Sequence, residues 1–317
     1  MPEEERFDIR HAPLAMQDAF FSILVVPDKI AWDTHAHVIG DPREYPLAPG
    51  RGYTPAPASL DDYLAMLDRH GIARGVLVQP SVYGHDHRCL LDALARAGGR
   101  LRGIAVPSPD ATAQDLEAMH EHGVRGVRCN LINPGGLSPA VVALWQPALR
   151  AMGWHVEFHL PIDRRPDWTD VIESFDIPVV IDHMGRPTPG ALDPSSPPLA
   201  QLIRFMTQER CFVKLSAPYR LSPDERTGGI AHGEPRRDAD GAAMVSGATG
   251  KWTDVTPLAR AFLEANASAC CWGTDWPHVD TAPPVDTADV VAALDDWRGD
   301  RWTRRQITGD LADRLFA

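Results

Sequence analysis

The sequence predicts an α/β protein with the architecture of a (β/α)8 TIM barrel. Short, continuous apolar runs alternate with amphipathic segments, which is the pattern of parallel strands buried on both faces and joined by helices. Eight such strands can be counted, and eight strands close this kind of barrel. The length of 317 residues suits one barrel. No Gly-x-Gly-x-x-Gly turn supports the alternative, an open doubly wound sheet.

The elements follow one another in a regular order. The first strand, around Trp32 to Val38, runs into a Pro/Gly-rich loop at 41–57 that is long enough to be functional or disordered. Ser59 is the expected N-cap of an amphipathic helix that ends near His70. The other seven strands are predicted at 75–80, 103–106, 124–131, 155–160, 178–183, 212–216 and 270–275. The helices before the last six strands are predicted at 86–97, 113–121, 139–152, 168–175, 199–208 and 257–266.

Two segments depart from this repeat. Residues 1–28 form a mixed leader, which is apolar enough in its second half to pack on the outside of a barrel spanning 29–317. Residues 222–253 form a long insert after the seventh strand, rich in glycine, alanine and charged residues. This composition is typical of either a lid or a partly disordered loop, and both interpretations stay open.

The composition narrows the class of protein. A hydrophobic fraction of 44% with 23% charged residues is typical of a soluble globular protein. The net charge of -12 argues against nucleic acid or an anionic membrane as a partner, so local arginine or histidine must meet an anionic small-molecule substrate. The five cysteines lie mostly in apolar runs and predict buried thiols. We therefore expect a cytoplasmic protein, and a homo-oligomer stays open.

The first strand carries a candidate metal site. His35 and His37 are two residues apart, so in a strand both side chains project from the same face. Neutral imidazoles suit zinc, manganese, iron or nickel. A His-x-His pair alone is more often two solvated histidines. The prediction of a metal site therefore depends on further ligands from other strands.

Further polar residues stand at the ends of later predicted strands. His159 leaves the fifth strand, His183 the sixth and Asp275 the eighth. In a barrel, the carboxyl ends of the strands meet at one rim, where catalytic groups lie. A lone histidine in such a position is more often part of the packing, but the joint arrangement indicates a site.

Three segments together resemble the amidohydrolase superfamily, in the branch of the 2-pyrone-4,6-dicarboxylate lactonases: His35–His37, 182–187 and 272–278. The likeness extends from about residue 30 onward and includes 48–55, 123–128 and 219–222. It implies a distorted barrel, a water nucleophile, Asp275 as general base, and His183 as the group that polarises or protonates the scissile group. The expected substrate-binding residues are Tyr53, Ser81, Tyr83, Arg128 and Arg220. The alternative for Arg128 is a buried ion pair with a carboxylate such as Glu157.

Two departures from that lactonase bear on cofactor and substrate. It carries a tyrosine on the fifth strand and works without metal, whereas relatives with a histidine there, such as amino-carboxymuconate-semialdehyde decarboxylases, use one zinc. The resemblance thus implies one divalent metal ion, zinc or alternatively manganese, held by His35, His37, His159 and Asp275. A metal-free site is the alternative. The loop 133–136 lacks an arginine that the lactonase has, which argues against a pyrone dicarboxylate as substrate.

We therefore expect a hydrolase that opens a carboxylate-bearing lactone or related acyl compound with activated water, in the catabolism of aromatic or sugar-acid compounds. Two alternatives within the superfamily are a non-hydrolytic decarboxylase and a lactone isomerase. A non-catalytic binding protein on a retained barrel would be expected to have lost at least one of His35, His37, His183 and Asp275.

Overall fold

The computed structural model describes residues 29–223, 251–281 and 284–317. The expected leader, residues 1–28, and residues 224–250 of the expected insert lie outside the described residues. Within the described ranges, no helix combines the length and apolar character that crossing a membrane requires.

The strands form one parallel sheet whose order follows the chain, so the expected barrel is confirmed. The strands are β1 (Trp32–Ala36), β2 (Arg74–Val78), β3 (Leu101–Ala105), β4 (Val124–Asn130), β5 (His155–His159), β6 (Val179–Ile181), β7 (Phe212–Leu215) and β8 (Cys270–Trp272). Each strand pairs with the next in parallel register, which places all their carboxyl ends on the same rim.

Helices separate the strands as the hydrophobic pattern predicted. They are α1 (Leu60–Arg69), α2 (Arg88–Arg96), α3 (Ala113–Glu121), α4 (Pro139–Ala151), α5 (Trp168–Glu173), α6 (Pro197–Thr207), α7 (Thr256–Asn266), α8 (Thr287–Arg298) and α9 (Leu311–Phe316). The N-cap Ser59 makes a capping box with Asp62, and Thr112 makes another with Asp115. Sequence reasoning did not define α8 and α9, which follow the last strand.

Side-chain and backbone contacts join β1 to β8. Asp275 donates its N–H to the carbonyl oxygen of His35 at 2.8 Å. Asp33 Oδ1 accepts from Thr274 N at 2.8 Å, and Asp33 Oδ2 accepts from the Thr274 hydroxyl at 2.7 Å and from the Tyr63 hydroxyl at 3.1 Å. A Cβ on Gly273 would lie 2.6 Å from His35 N, so glycine is needed for this close approach. The first and last strands are thereby held together next to His35.

Two strands end earlier than the sequence predicted. β6 stops at Ile181 rather than residue 183, and β8 stops at Trp272 rather than residue 275. The reason is a change of backbone conformation, because His183 (φ 52°) and Asp275 (φ 60°) lie in the left-handed region. Non-glycine residues adopt it at a cost of about 1–3 kcal/mol, and such positions cluster at functional sites.

Candidate active site

Two histidines from the β1 end approach one carboxylate oxygen. His37 Nδ1 lies 2.7 Å from the Val78 carbonyl oxygen at the end of β2. A neutral ring that donates from Nδ1 keeps its lone pair on Nε2, and this atom lies 3.4 Å from Asp275 Oδ1. His35 Nε2 lies 3.7 Å from the same oxygen. The same-face spacing in β1 thus brings both rings to the carboxylate that follows β8.

The two oxygens of the Asp275 carboxylate have different surroundings. Oδ2 accepts a hydrogen bond from the Tyr219 hydroxyl and one from Arg220 Nε at 3.1 Å. Oδ1 has no hydrogen-bond partner among the described residues. Burial would raise the pKa of this carboxyl, but His183, Arg220 and the nearby His37 outweigh it and hold the pKa well below its usual value. Asp275 is therefore an ionised carboxylate with one oxygen available.

His183 faces His35 from the exit of β6. Their ring centroids are 4.6 Å apart, and His183 Nδ1 lies 2.8 Å from the Ser216 hydroxyl oxygen. Burial lowers the pKa of His183 well below its usual value, so the ring is neutral near pH 7. Ligand atoms of His35, His183 and Asp275 lie within 4.8 Å of one another. The structure therefore brings the expected electrophilic histidine to the expected base.

His159 lies one ring further away, edge-on to His183 with 5.1 Å between centroids. It is 7% exposed, and neither ring nitrogen has a hydrogen-bond partner among the described residues. Burial, together with the neighbouring Arg128 and His183, lowers its pKa well below the usual value. This neutral ring can accept or donate, so it suits either a cation or a polar substrate atom.

The unpartnered atoms at this centre fit a cation. His35 Nε2 and Asp275 Oδ1 are buried without a hydrogen bond within the described ranges. His37 Nε2 also faces Asp275 Oδ1 at 3.4 Å, so if the Val78 carbonyl oxygen takes the ring's only N–H, a cation would separate two acceptors. Imidazole nitrogen with one carboxylate is a donor set that zinc and manganese accept.

A buried lysine that sequence reasoning missed lies beside the histidines. Lys214 Nζ is 2.6 Å from Glu157 Oε1, 3.6 Å from Asp182 Oδ1 and 3.3 Å from His35 Nδ1. Burial lowers the pKa of this ammonium, but Glu157 and Asp182 outweigh it, and the net shift is upward. His35, Glu157 and Asp182 also lie close enough to hold a cation, and the Lys214 ammonium balances their charge. The signal available in the sequence was a lysine within the apolar run of β7.

Arg128 on β4 pairs with Asp182, and not with the Glu157 named as its alternative partner. Its Nε donates to Asp182 Oδ2 at 2.8 Å, and Arg128 is 3% exposed. Asp182 Oδ1 lies 3.4 Å from His35 Nδ1. When His35 Nδ1 carries the proton, it can donate to Asp182 and leave the Nε2 lone pair directed at Asp275. The ion pair of Arg128 therefore also orients a histidine of the site.

Four of the expected substrate-binding residues share one region. Burial raises the pKa of the Tyr53 hydroxyl, while a hydrogen bond from Ser81 and the charges of Arg128 and Arg220 oppose that shift. The negative charge of Asp275 raises the pKa of the same hydroxyl. The residues come from four different loops or strand ends, so only the closed barrel brings them together.

Tyr83 is not brought into this group. Its hydroxyl accepts the N–H of Gly40 at 2.9 Å, and burial raises its pKa, with Cys89 as the next contributor. Ser81 and Tyr83 occupy a short 3-10 turn, Ser81–Tyr83, in which successive side chains point in different directions. The turn thus directs Ser81 to Tyr53 and Tyr83 to the loop after β1.

The closed barrel with histidines and an aspartate at its carboxyl-end rim has the arrangement of an enzyme active site. The Amidohydrolase family model matches residues 32–317, and the chain belongs to this family. It is therefore a hydrolase of the amidohydrolase superfamily, as the sequence motifs indicated.

The chain is similar to proteins named as lactone hydrolases, both in sequence and in a solved structure. A 2-pyrone-4,6-dicarboxylate hydrolase of Comamonas testosteroni is 34% identical over 253 residues, which are 78% of this chain and 77% of the relative. A 4-sulfomuconolactone hydrolase of Rhizobium radiobacter is 32% identical over 295 residues, 91% of this chain and 90% of the relative. The structure of a Pseudomonas putida protein assigned to the 2-pyrone-4,6-dicarboxylic acid hydrolases has a TM-score of 0.71 and 32% identity, covering 90% of this chain and 97% of that one.

Proposed function

We propose that this enzyme hydrolyses a lactone bearing at least one anionic group, in the catabolism of an aromatic or sugar-acid compound. The observation that carries the proposal is the unpartnered Asp275 Oδ1, which faces His35 and His37 while Arg220 holds the other oxygen of the same carboxylate. A buried carboxylate oxygen without a donor suits the acceptance of a proton from water. The names of the relatives, which combine a lactone with carboxylate or sulfonate groups, support the substrate class.

Asp275 acts as the general base through Oδ1, because Tyr219 and Arg220 already occupy Oδ2. Its lowered pKa keeps it ionised near neutral pH, but it also makes the carboxylate a weak base. Water activation therefore gains from any second group that makes the water more acidic.

A divalent metal ion, when bound, would supply that acidity. The family resemblance assigns it to His35, His37, His159 and Asp275, and the unpartnered nitrogen of His35 fits the assignment, whereas His159 is not among the ligand atoms that lie within 4.8 Å of one another. His183 is the other candidate for the fourth position, because it lies closer to His35 and Asp275. A bound divalent ion of this kind, zinc or manganese, lowers the pKa of a water molecule from near 16 to about 7. In a metal-free site, a proton between His37 Nε2 and Asp275 Oδ1 would take the place of the metal ion.

His183 stabilises the carbonyl oxygen of the substrate as negative charge develops. When the Ser216 hydroxyl donates to Nδ1, the neutral ring carries its proton on Nε2 and can donate it to that oxygen. Removing one such donor typically lowers kcat by about 100- to 1,000-fold. The ring keeps this role over a wide pH range, because its lowered pKa prevents protonation.

Arg128 and Arg220 bind the anionic group of the lactone. Arg128 uses Nε for Asp182, and Arg220 uses Nε for Asp275 and Nη2 for the Val279 carbonyl oxygen. Each guanidinium is therefore held in place while a further N–H edge can contact a ligand. Tyr53 and Ser81 add hydroxyl groups in the same region.

A pH-indicator assay with three lactones tests the proposal: 2-pyrone-4,6-dicarboxylate, 4-sulfomuconolactone, and muconolactone without the sulfonate. Ring opening releases a proton, whereas decarboxylation consumes one and releases carbon dioxide. We expect acid release with an anionic lactone, and Asp275→Asn should lower kcat by about 100- to 10,000-fold while thermal unfolding stays cooperative. Full turnover by a folded Asp275→Asn variant, or carbon dioxide release by the wild type, would contradict the proposal.

We also propose a cytoplasmic location. All five cysteines are buried free thiols, which suits a reducing compartment. Cell fractionation with an antibody against the intact chain would test this placement.

A further inference from the structure

We propose that Tyr219 is a positioning residue for the base: its hydroxyl holds Asp275 Oδ2, so that Oδ1 is the oxygen presented to His35, His37 and the water. This inference rests on the proposed role of Asp275 as general base. It assigns to Tyr219 a contribution that is separate from substrate binding.

The contact itself joins two distant parts of the chain. Tyr219 donates its hydroxyl to Asp275 Oδ2, and both side chains are almost fully buried, with 5% of Tyr219 and 1% of Asp275 exposed. A charge-assisted hydrogen bond in such surroundings is stronger and more directional than one at the surface. The phenol therefore restricts rotation of the carboxylate about its terminal bond.

The tyrosine ring has packing that holds it in one orientation. It meets the His278 ring edge-on, with 5.5 Å between centroids, and the Trp252 ring at 6.1 Å. Tyr219 lies in the short turn Pro218–Arg220, which follows β7 and starts after Ala217 in the left-handed region. The hydroxyl is thus presented from a turn whose backbone and side chains are both constrained.

Arg220 lies in the same turn but cannot replace the phenol. Its Nε reaches Asp275 Oδ2 at 3.1 Å, and its Nη2 is bound to the Val279 carbonyl oxygen. A single remaining donor fixes one direction only, so the carboxylate can turn around that contact. With both donors on Oδ2, the distances of 3.4 Å and 3.7 Å from Oδ1 to the β1 histidines are maintained.

The chain offers a matched control for this contact. Tyr63 also donates its hydroxyl to a buried carboxylate, Asp33 Oδ2, at 3.1 Å, and it is fully buried. That carboxylate binds Thr274 and joins β1 to β8, and it is not part of the reacting group. Tyr63→Phe and Tyr219→Phe therefore remove the same atom from the same kind of bond.

The experiment compares both variants with the wild type in steady-state kinetics on a lactone that the wild type hydrolyses, and in crystal structures. We expect Tyr219→Phe to lower kcat by about 10- to 100-fold with little change in KM, as for other residues that orient a catalytic group. Its crystal structure should show the Asp275 carboxylate turned, or Oδ1 farther from His37. Tyr63→Phe should keep kcat within about twofold.

Any of three kinetic results would overturn the inference: an unchanged kcat in Tyr219→Phe, a rise in KM alone, or an equal loss of kcat in Tyr63→Phe. A fall in kcat with Asp275 unmoved would also overturn it, since the phenol would then act directly on the substrate. If the wild type opens no lactone, the proposed function fails. In that case the crystal structures alone test the inference about Tyr219. An unmoved Asp275 carboxylate in Tyr219→Phe would overturn it.

Discussion

Lys214 Nζ lies 2.6 Å from Glu157 Oε1 inside the barrel, and neither side chain is exposed to solvent. Lys214 also donates to the Thr34 carbonyl oxygen at 2.9 Å and lies 3.3 Å from His35 Nδ1. Burial would raise the pKa of Glu157, but Lys214 and His155 together outweigh it and the pKa is lowered. A charged pair thus connects β5, β7 and β1 next to a proposed metal ligand.

Removal of this lysine should destabilise the barrel. Lys214→Met leaves Glu157 and Asp182 without their shared cation, and we expect the free energy of unfolding to fall by about 3–5 kcal/mol. Glu157→Gln should also be destabilising, but the double variant should lose less than the sum, because the pair is removed as a unit. Urea unfolding followed by tryptophan fluorescence measures each loss. Strictly additive losses would show that the two charges act independently.

Metal content should separate the roles of two histidines. We expect His159→Ala to lose bound zinc or manganese, and His183→Ala to keep the metal but lower kcat by about 100-fold or more. Elemental analysis of the purified variants, after equal exposure to each metal, gives the first result. Loss of metal from His183→Ala with retention in His159→Ala would transfer the ligand role to His183, which its proximity to His35 and Asp275 allows.

Arg128 should be needed for substrate affinity. Arg128→Lys keeps a positive charge near Asp182 but loses the forked donor geometry, so we expect KM to rise by about 10- to 100-fold. Arg125→Lys is the control, because Arg125 lies on the same strand but its Nη1 donates to the carbonyl oxygens of His120 and Val124. Equal KM values for the two variants would restrict Arg128 to the ion pair with Asp182.

The charge of Arg220 should set the lower pH limit of activity. Arg220 lowers the pKa of Asp275, so Arg220→Gln raises that pKa in the folded enzyme. The base must be ionised, so the acid limb of the kcat/KM profile should move to higher pH, by about 1–3 units. Rates measured across the acid range in wild type and variant give the shift. An unmoved limb, with KM raised, would limit Arg220 to substrate binding.

Much of the site was predictable because it follows from strand periodicity. The spacing of His35 and His37 fixes their common face, and parallel strands fix the rim at which His159, His183 and Asp275 emerge. The expected barrel is confirmed, and in it His183 and Asp275 lie near His35. The local sequence pattern is sufficient to predict this placement, because the direction of a strand determines the rim of the barrel at which the residues after it lie.

Contacts between distant residues were not predictable. Tyr219 and Asp275 are 56 positions apart, and Arg128 and Asp182 are 54 apart, so no local pattern links them. The 3-10 turn that sends Ser81 to Tyr53 and Tyr83 to Gly40 likewise gave no periodic signal. These contacts and this turn depend on the path of the backbone, which the types of neighbouring side chains do not determine.

The sequence by itself determined the barrel, the family and the residue types at the rim, because hydrophobic period and strand-end position are properties of short segments. Only the tertiary structure decided which oxygen of Asp275 is available, which carboxylate pairs with Arg128, and that Lys214 lies beside His35. These outcomes depend on distances of a few ångströms between strands. Such distances are set by how the whole barrel packs and closes.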